Sequence, residues 1–284
     1  MQVGLIGAGH IGGLLADAIL ATDHSLVVHD VEESQVTPLV DRGASSAPGP
    51  AAVGEHCDAV LLALPGAPEV TAVALESGLL DALDPGDSLI DTSTTGPDAA
   101  ERVAEAAADR DVTFVSAPVT RGGPGPDDGL HAMVGGTEAA HAAVTDLLDV
   151  VTLDHAHVGD AGTAQRFKLL LQLRYAGQAA VDAEVVAAGR DLDVPVELLA
   201  DFLDLDVSER LLDGDFSPAI PGMGGFAIWQ KDLGYLLDVT TETGTATPLA
   251  SEIHAAYTHA DRVKTEDERH AAAIRYHWRR LNGA

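Results

Sequence analysis

Three glycines near the start of the chain are spaced to handle a phosphate. Gly7, Gly9 and Gly12, in Gly7-Ala8-Gly9-His10-Ile11-Gly12, follow an apolar run at residues 3–6 and open a helical pattern at 10–21. This is the strand-turn-helix context that the G-x-G-x-x-G pattern requires. Gly7 allows the tight turn, Gly9 lets the backbone approach a pyrophosphate resting on the helix N-terminus, and Gly12 lets helix and strand pack closely. Asp30 stands 18 residues beyond Gly12, after a second apolar run. Its carboxylate can accept hydrogen bonds from both ribose hydroxyls and would repel a 2′-phosphate. No arginine follows it in His29-Asp30-Val31-Glu32, so the spacing predicts dinucleotide binding with NAD favoured over NADP. His10, inside the loop, reads as a solvated cap rather than a base. His155 and His157 are only two apart and lack a partner carboxylate pattern, so no metal site is expected.

A frame has to hold these residues. From residue 1 to 158 short apolar runs at 3–6, 26–29, 59–64, 88–90, 112–115, 132–134 and 150–153 alternate with helical patterns at 10–21, 68–75, 97–108 and 138–148. Several runs are apolar on both faces, as strands covered by helices on both sides should be. The alternation predicts an α/β, Rossmann-type doubly wound sheet. After Gly159 the strand runs stop. Residues 163–190 read as one helix of about seven turns without proline, and helices are expected at 196–205, 227–241, 248–263 and 266–281. The expected division is a nucleotide-binding domain over 1–158 and an all-helical domain over 159–284, the latter beginning with a helix long enough to bridge domains.

Composition narrows the partners. The 284 residues hold 45 acidic and 16 basic side chains, a formal charge of −29, and only three lysines: Lys168, Lys231 and Lys264. Such a charge repels phosphate backbones and anionic lipid surfaces, which argues against nucleic-acid and membrane partners. With 46% hydrophobic residues the chain is acidic yet globular. A carboxylate excess with lysine nearly removed suggests folding in very high salt, where the Debye length falls to about 3 Å and self-repulsion is screened. The lone Cys57 cannot form an intrachain disulfide, and no secretion signal or membrane-length apolar run is read, so a cytoplasmic enzyme is expected.

Further segments, in order along the chain, resemble the β-hydroxyacid dehydrogenase family, which includes 3-hydroxyisobutyrate and 6-phosphogluconate dehydrogenases. Leu64-Pro65 is similar to its leucine-proline loop. Asp91-Thr92-Ser93-Thr94-Thr95-Gly96-Pro97 is similar to D-x-S-T-x-x-P. Ala117-Pro118-Val119-Thr120-Arg121-Gly122-Gly123 with Met133-Val134-Gly135-Gly136 resembles A-P-V-S-G-G and M-V-G-G. Gly159-x-Ala161 with Lys168, and Phe226 with Lys231-Asp232, resemble the later G-x-(G/A)-x-x-x-K and F-x-x-x-x-K-D segments. The resemblance implies that Leu64 and Pro65 border the cofactor, that Glu69 approaches its adenosine side, that Thr94 lies by the nicotinamide ribose, and that Thr120 and Gly122 bind the substrate carboxylate. It also implies a homodimer or homotetramer.

Hydride transfer at a carbinol carbon requires a proton donor or acceptor at its oxygen. The resemblance assigns that role to Lys168, whose pKa partial burial and the nicotinamide charge would lower. Gln172, at i+4 on the same helix face, is placed to hold the substrate hydroxyl or the lysine; the family usually has Asn there. Lys231 reads either as a cation near the nicotinamide or as the salt-bridge partner of Asp232. Arg121 replaces a family glycine and reads either as a bidentate clamp on a carboxylate, sulfonate or phosphate, or as the partner of Asp127 or Asp128. Lys168, Lys231, Arg121 and Arg166 would attract small anions at contact distance, since the net charge opposes long-range attraction. The expected function is NAD-dependent interconversion of a small anionic β-hydroxy acid and its semialdehyde. Imine reduction, phosphogluconate oxidation and a non-catalytic NAD(H) sensor are the alternatives.

Overall fold

Successive side chains of a strand point to opposite faces, so runs that are apolar throughout must be buried on both faces of a sheet. In the structure, a computed structural model describing residues 1–121, 129–203, 205 and 226–263, they are. The chain divides into two compact units, Met1–Lys168 and Leu169–Ala284.

In the first unit β1 (Gln2–Ile6), β2 (Ser25–His29), β3 (Ser45–Ser46), β4 (Ala59–Leu62), β5 (Ser88–Asp91) and β6 (Thr113–Ser116) form a parallel ladder in the order β3-β2-β1-β4-β5-β6. Beyond it β8 (Leu130–Gly135) pairs antiparallel with the end of β6 and with β7 (Val119–Arg121), and parallel with β9 (Asp154–Gly159). Val3, Leu5, Leu61, Ile90 and Val115 pack on one face against α1 (His10–Leu20), α2 (Glu33–Val40) and α7 (Glu138–Val151). Ile6, Val60, Leu62, Leu89 and Phe114 pack on the other, against α3 (Pro50–Gly54), α4 (Ala67–Thr71) with its π turn (Ala72–Glu76), α5 (Leu79–Ala82) and α6 (Pro97–Ala108). The sheet is doubly wound, as its sequence predicts. Among the described residues no helix is long and apolar enough to cross a membrane, and no group of three or more His, Cys, Asp or Glu is placed to hold a metal ion.

One expected strand is wrong. The run at 150–153 is split: α7 continues through Val151, because Val144, Leu147, Leu148 and Val151 are buried at helical spacing, and the strand starts only at Asp154. The helix expected at 68–75 is instead a short α-helix completed by a π turn.

The second unit contains the greater part of α8 (Ala161–Asp191), with α9 (Val196–Leu203), α10 (Phe226–Thr243) and α11 (Pro248–Val263). The helix expected at 266–281, with Lys264, lies outside the described residues. Ala176, Ala180 and Ala183 present small side chains at helical spacing on α8, and they cluster with Phe226, Leu233, Leu236 and Tyr257. Tyr257 is fully buried, donates its hydroxyl to the Ala176 carbonyl at 3.2 Å and meets Trp229 edge-on at 5.1 Å.

Two predictions follow from these packings. Tyr257→Phe removes the second hydrogen bond to the Ala176 carbonyl, which keeps its helical partner, and costs about 1 kcal/mol in denaturant unfolding, whereas Tyr257→Ala costs about 3–5 kcal/mol; equal losses for the two would contradict this packing. The second concerns His141, which shares a hydrogen bond with His155 at 3.1 Å and stacks on His157 at 5.4 Å. Burial, then the charges of His155 and His157, hold its pKa below the usual histidine value. The unfolded chain therefore binds more protons than the native one once pH falls below about 6.5, and stability declines from there toward the native pKa. Thermal unfolding from pH 7.5 to 5 should show this decline, and His141→Gln should flatten it; an unchanged slope in the variant would count against it.

Candidate active site

Parallel register places distant segments side by side. Ile6 stands opposite His29 on one side and Leu62 on the other, Leu62 opposite Asp91, Asp91 opposite Ser116, and Ser116 opposite Gly135. These residues form one rung at the carboxyl ends of the parallel strands. The next residue after each strand lies in or beside a singled-out segment: Gly7, Asp30, Ala63 before Leu64-Pro65, Thr92, Ala117 and Gly136. β2 and β4 lie on either side of β1, which is the switch point where open α/β sheets bind ligands.

At the centre of the rung two of the three loop glycines, Gly7 and Gly12, have no room for a side chain. Gly7 has φ +94°, and a Cβ there would collide with the Ala63 carbonyl; one on Gly12 would collide with the Gly7 carbonyl. A Cβ on Gly9 would meet nothing within 4 Å, so the loop there faces open space. The first turn of α1 carries no acidic residue and no side-chain cap, which suits an incoming anion. Asp30 anchors this loop: Oδ2 accepts from Ala8 N at 2.6 Å and Oδ1 from Glu32 N at 2.8 Å. A carboxylate offers about four acceptor positions, so two remain for ribose hydroxyls. Glu69 is exposed in the first turn of α4.

His10 differs from the solvated cap its position suggests. Its Nε2 is buried without a hydrogen-bond partner. Burial, and after it the Arg121 guanidinium, hold its pKa below the usual histidine range, which keeps the ring neutral near pH 7. Arg121 ends β7, opposite Leu130, and its charge acts on His10 of the glycine loop. Thr120 pairs with His131 on the same ladder. Gly122, and the alternative Arg121 partners Asp127 and Asp128, lie outside the described residues.

The loop after β5 is tied from three directions. Leu64 N donates to Ser93 Oγ at 3.0 Å, and Thr92 Oγ1 donates to the Leu62 carbonyl at 2.7 Å. Gln165, on α8, accepts from Thr95 N and Gly96 N, and donates to the Ser93 carbonyl and to Ser116 Oγ. Thr94 is held half-buried between these fixed neighbours. One turn beyond Gln165, Lys168 is buried, 5% exposed. Arg166, between them, does not join this site: it pairs with Glu101 at 2.8 Å and lies 3.8 Å from Asp160.

Within the second unit Gln172 is buried and donates Nε2 to Asp232 Oδ2 at 2.5 Å. Lys231 Nζ lies 3.1 Å from Asp232 Oδ1, an ion-pair contact without hydrogen-bond geometry, and 5.5 Å from the Tyr235 ring centre. Asp232, 1% exposed, thus joins two of the sequence candidates. Sequence reasoning gave it no role beyond a salt bridge and did not find Gln165; the available signal was a glutamine three residues before Lys168.

Comparison with known proteins shows the family. Residues 2–159 match the family model described as the NAD binding domain of 6-phosphogluconate dehydrogenase, consistent with NAD as cofactor. The mitochondrial 3-hydroxyisobutyrate dehydrogenase of Bos taurus is 30% identical over 90% of this chain and 80% of its own length. The 2-(hydroxymethyl)glutarate dehydrogenase of Eubacterium barkeri is 27% identical over 88% of this chain and 86% of its own. The solved 3-hydroxyisobutyrate dehydrogenase of Mycobacterium tuberculosis shares the fold with a TM-score of 0.86 at 22% identity, covering 98% of this chain and 99% of that one. The chain belongs to the β-hydroxyacid dehydrogenase family of NAD(P)-dependent dehydrogenases acting on a CH–OH group.

Proposed function

We propose that this enzyme interconverts a small β-hydroxy acid and its semialdehyde, with Lys168 as general acid and base. The observation that carries the reading is the buried lysine one turn past the glutamine that anchors the loop after β5, in a chain holding only three lysines. The substrates named for the bovine and Eubacterium relatives, 3-hydroxyisobutyrate and 2-(hydroxymethyl)glutarate, share a hydroxymethyl group on the carbon next to a carboxylate. The proposed substrate class is that unit, HO–CH2–CHR–COO⁻.

The residues present fit NAD. The backbone of Gly7, Ala8, Gly9, His10, Ile11 and Gly12 receives the pyrophosphate, with Gly9 facing open space without a Cβ, and Asp30 takes the adenosine ribose. Leu64, Pro65 and Glu69 border the cofactor, Thr94 lies by the nicotinamide ribose, and Lys231 supplies a cation. When bound, NAD supplies the hydride acceptor or donor. In oxidation Lys168 Nζ, as the free amine, takes the hydroxyl proton while the carbinol carbon gives up hydride; in reduction the ammonium returns that proton to the carbonyl oxygen. Gln172 orients the lysine: its Nε2 is turned to Asp232, which leaves Oε1 to accept from the Lys168 amine or ammonium without competing for the one hydroxyl proton. Thr120 and Gly122 bind the carboxylate, and Arg121 clamps an anionic group. Residues 1–158 form the cofactor domain, and 159–284 serve substrate binding and assembly as a homodimer or homotetramer in the cytoplasm.

The test is NAD(H) turnover in concentrated KCl with 3-hydroxyisobutyrate, glycerate, 3-hydroxypropionate and 6-phosphogluconate. Lys168→Ala should lower kcat by about 10²-fold or more with cofactor affinity little changed; a wild-type rate would overturn the acid–base assignment. Asp30→Ala removes the Ala8 anchor and the ribose acceptor. It should weaken NAD binding by about 10- to 100-fold, the scale of a charge-assisted hydrogen bond, and narrow the preference for NAD over NADP. Unchanged discrimination would count against Asp30 reading the ribose.

A further inference from the structure

We propose that Gln165 is the positioning residue of this active site, its one carboxamide locking the Ser93–Gly96 loop and the end of β6 onto the helix that carries Lys168. This rests on the reading of Lys168 as acid and base. Gln165 is completely buried, and both ends of its amide are saturated. Oε1 accepts from Thr95 N at 3.0 Å and Gly96 N at 3.3 Å, while Nε2 donates to the Ser93 carbonyl at 3.1 Å and Ser116 Oγ at 2.8 Å. A carboxamide has two N–H donors and two acceptor lone pairs, so none is left over.

The partners are specific. Three of the four are main-chain groups on both sides of Thr94, the residue proposed to lie at the nicotinamide ribose. Gly96 has φ +78°, a conformation that other residues rarely adopt, and the Oε1 bond pins it in place. The fourth partner, Ser116, immediately precedes the Ala117–Arg121 segment proposed to bind the substrate. Ser93 passes the connection on, because its Oγ receives the Leu64 N–H of the leucine-proline loop. One side chain therefore links three segments directly, its partners lying 49 to 72 residues away, and a fourth through Ser93. Lys168 follows three residues later, about 4.5 Å along the helix axis and on nearly the same face. A shift of the loop relative to α8 changes the distance between the proton donor and the carbon receiving hydride. A misplacement of about 1 Å in such a site costs about 10²-fold in rate.

A glutamine that merely satisfied buried polar groups would affect stability alone, so the experiment reads rate, affinity and loop exchange together. Gln165→Met keeps the volume and removes all four bonds; Gln165→Glu keeps acceptor oxygens but loses the two N–H donors when ionised; Ser116→Ala removes one bond. For folded Gln165→Met we expect kcat to fall about 10²-fold with the NADH dissociation constant within about threefold, the split of an interaction that acts in the transition state. The primary deuterium isotope effect on kcat should rise, Gln165→Glu should show the same split, and Ser116→Ala a smaller one. Hydrogen exchange at the Thr95 and Gly96 amides should accelerate in Gln165→Met. A folded Gln165→Met with wild-type kcat overturns the proposal, as does a parallel fall of kcat and NADH affinity. If that variant does not fold, a wild-type kcat in both Gln165→Glu and Ser116→Ala overturns it. Lys168→Ala at wild-type rate would sink the acid–base reading instead, and the Thr95 and Gly96 exchange would still report whether Gln165 holds the loop.

Discussion

Everything chemical in the first unit hangs on the register of one parallel ladder. Because Ile6, His29, Leu62, Asp91 and Ser116 are aligned across the sheet, the chain leaves five strands at the same level. A slip of one residue in any strand would exchange the side chains fitted to the two cores and move the loop that follows it out of line with its neighbours. The packing of the two cores therefore also sets the level at which the glycine loop, Asp30, Leu64, Thr92 and Ala117 emerge. Packing energy fixes the site without any of its polar residues contributing much to it.

The polar residues instead connect the loops that the ladder delivers. Asp30 holds Ala8, Ser93 holds Leu64, and Gln165 holds the loop between β5 and α6. Each bond joins backbone that would otherwise be exposed at a strand end to a side chain from another segment, so loop geometry is set before a ligand arrives. Such preorganisation lowers the entropy lost on binding and preserves orientation at the reacting centre. In a chain of charge −29 it matters further. Anionic ligands gain nothing from the long-range field, and recognition falls to backbone N–H groups and a few cations acting at contact.

Much of this was legible in the sequence because apolar alternation and helix-starting prolines and glycines are local signals. β1, β2, β4, β5 and β6 read clearly, as did α6 beginning at Pro97. β3 is two exposed serines without an apolar signature. β9 is polar, with Asp154, His155 and His157 in place of alternating apolar residues, so the apolar end of α7 was read as the strand. The glycine loop, Asp30 and the lysine positions were visible from spacing and resemblance. Gln165 was not, because a glutamine in a helix ordinarily faces solvent, and its four partners lie 49 to 72 residues away. Asp232 was read as structural for a similar reason: its link to Gln172 crosses 60 residues and exists only in the fold.

The most direct measurement is amide hydrogen exchange of the whole enzyme with and without NADH in concentrated KCl. The account predicts that binding slows exchange at residues 8–12, 63–66 and 92–96, which follow the carboxyl ends of β1, β4 and β5, and leaves the opposite ends of the strands, at 84–87 and 109–112, unchanged. Protection concentrated at 84–87 and 109–112, or absent from the glycine loop, would contradict it.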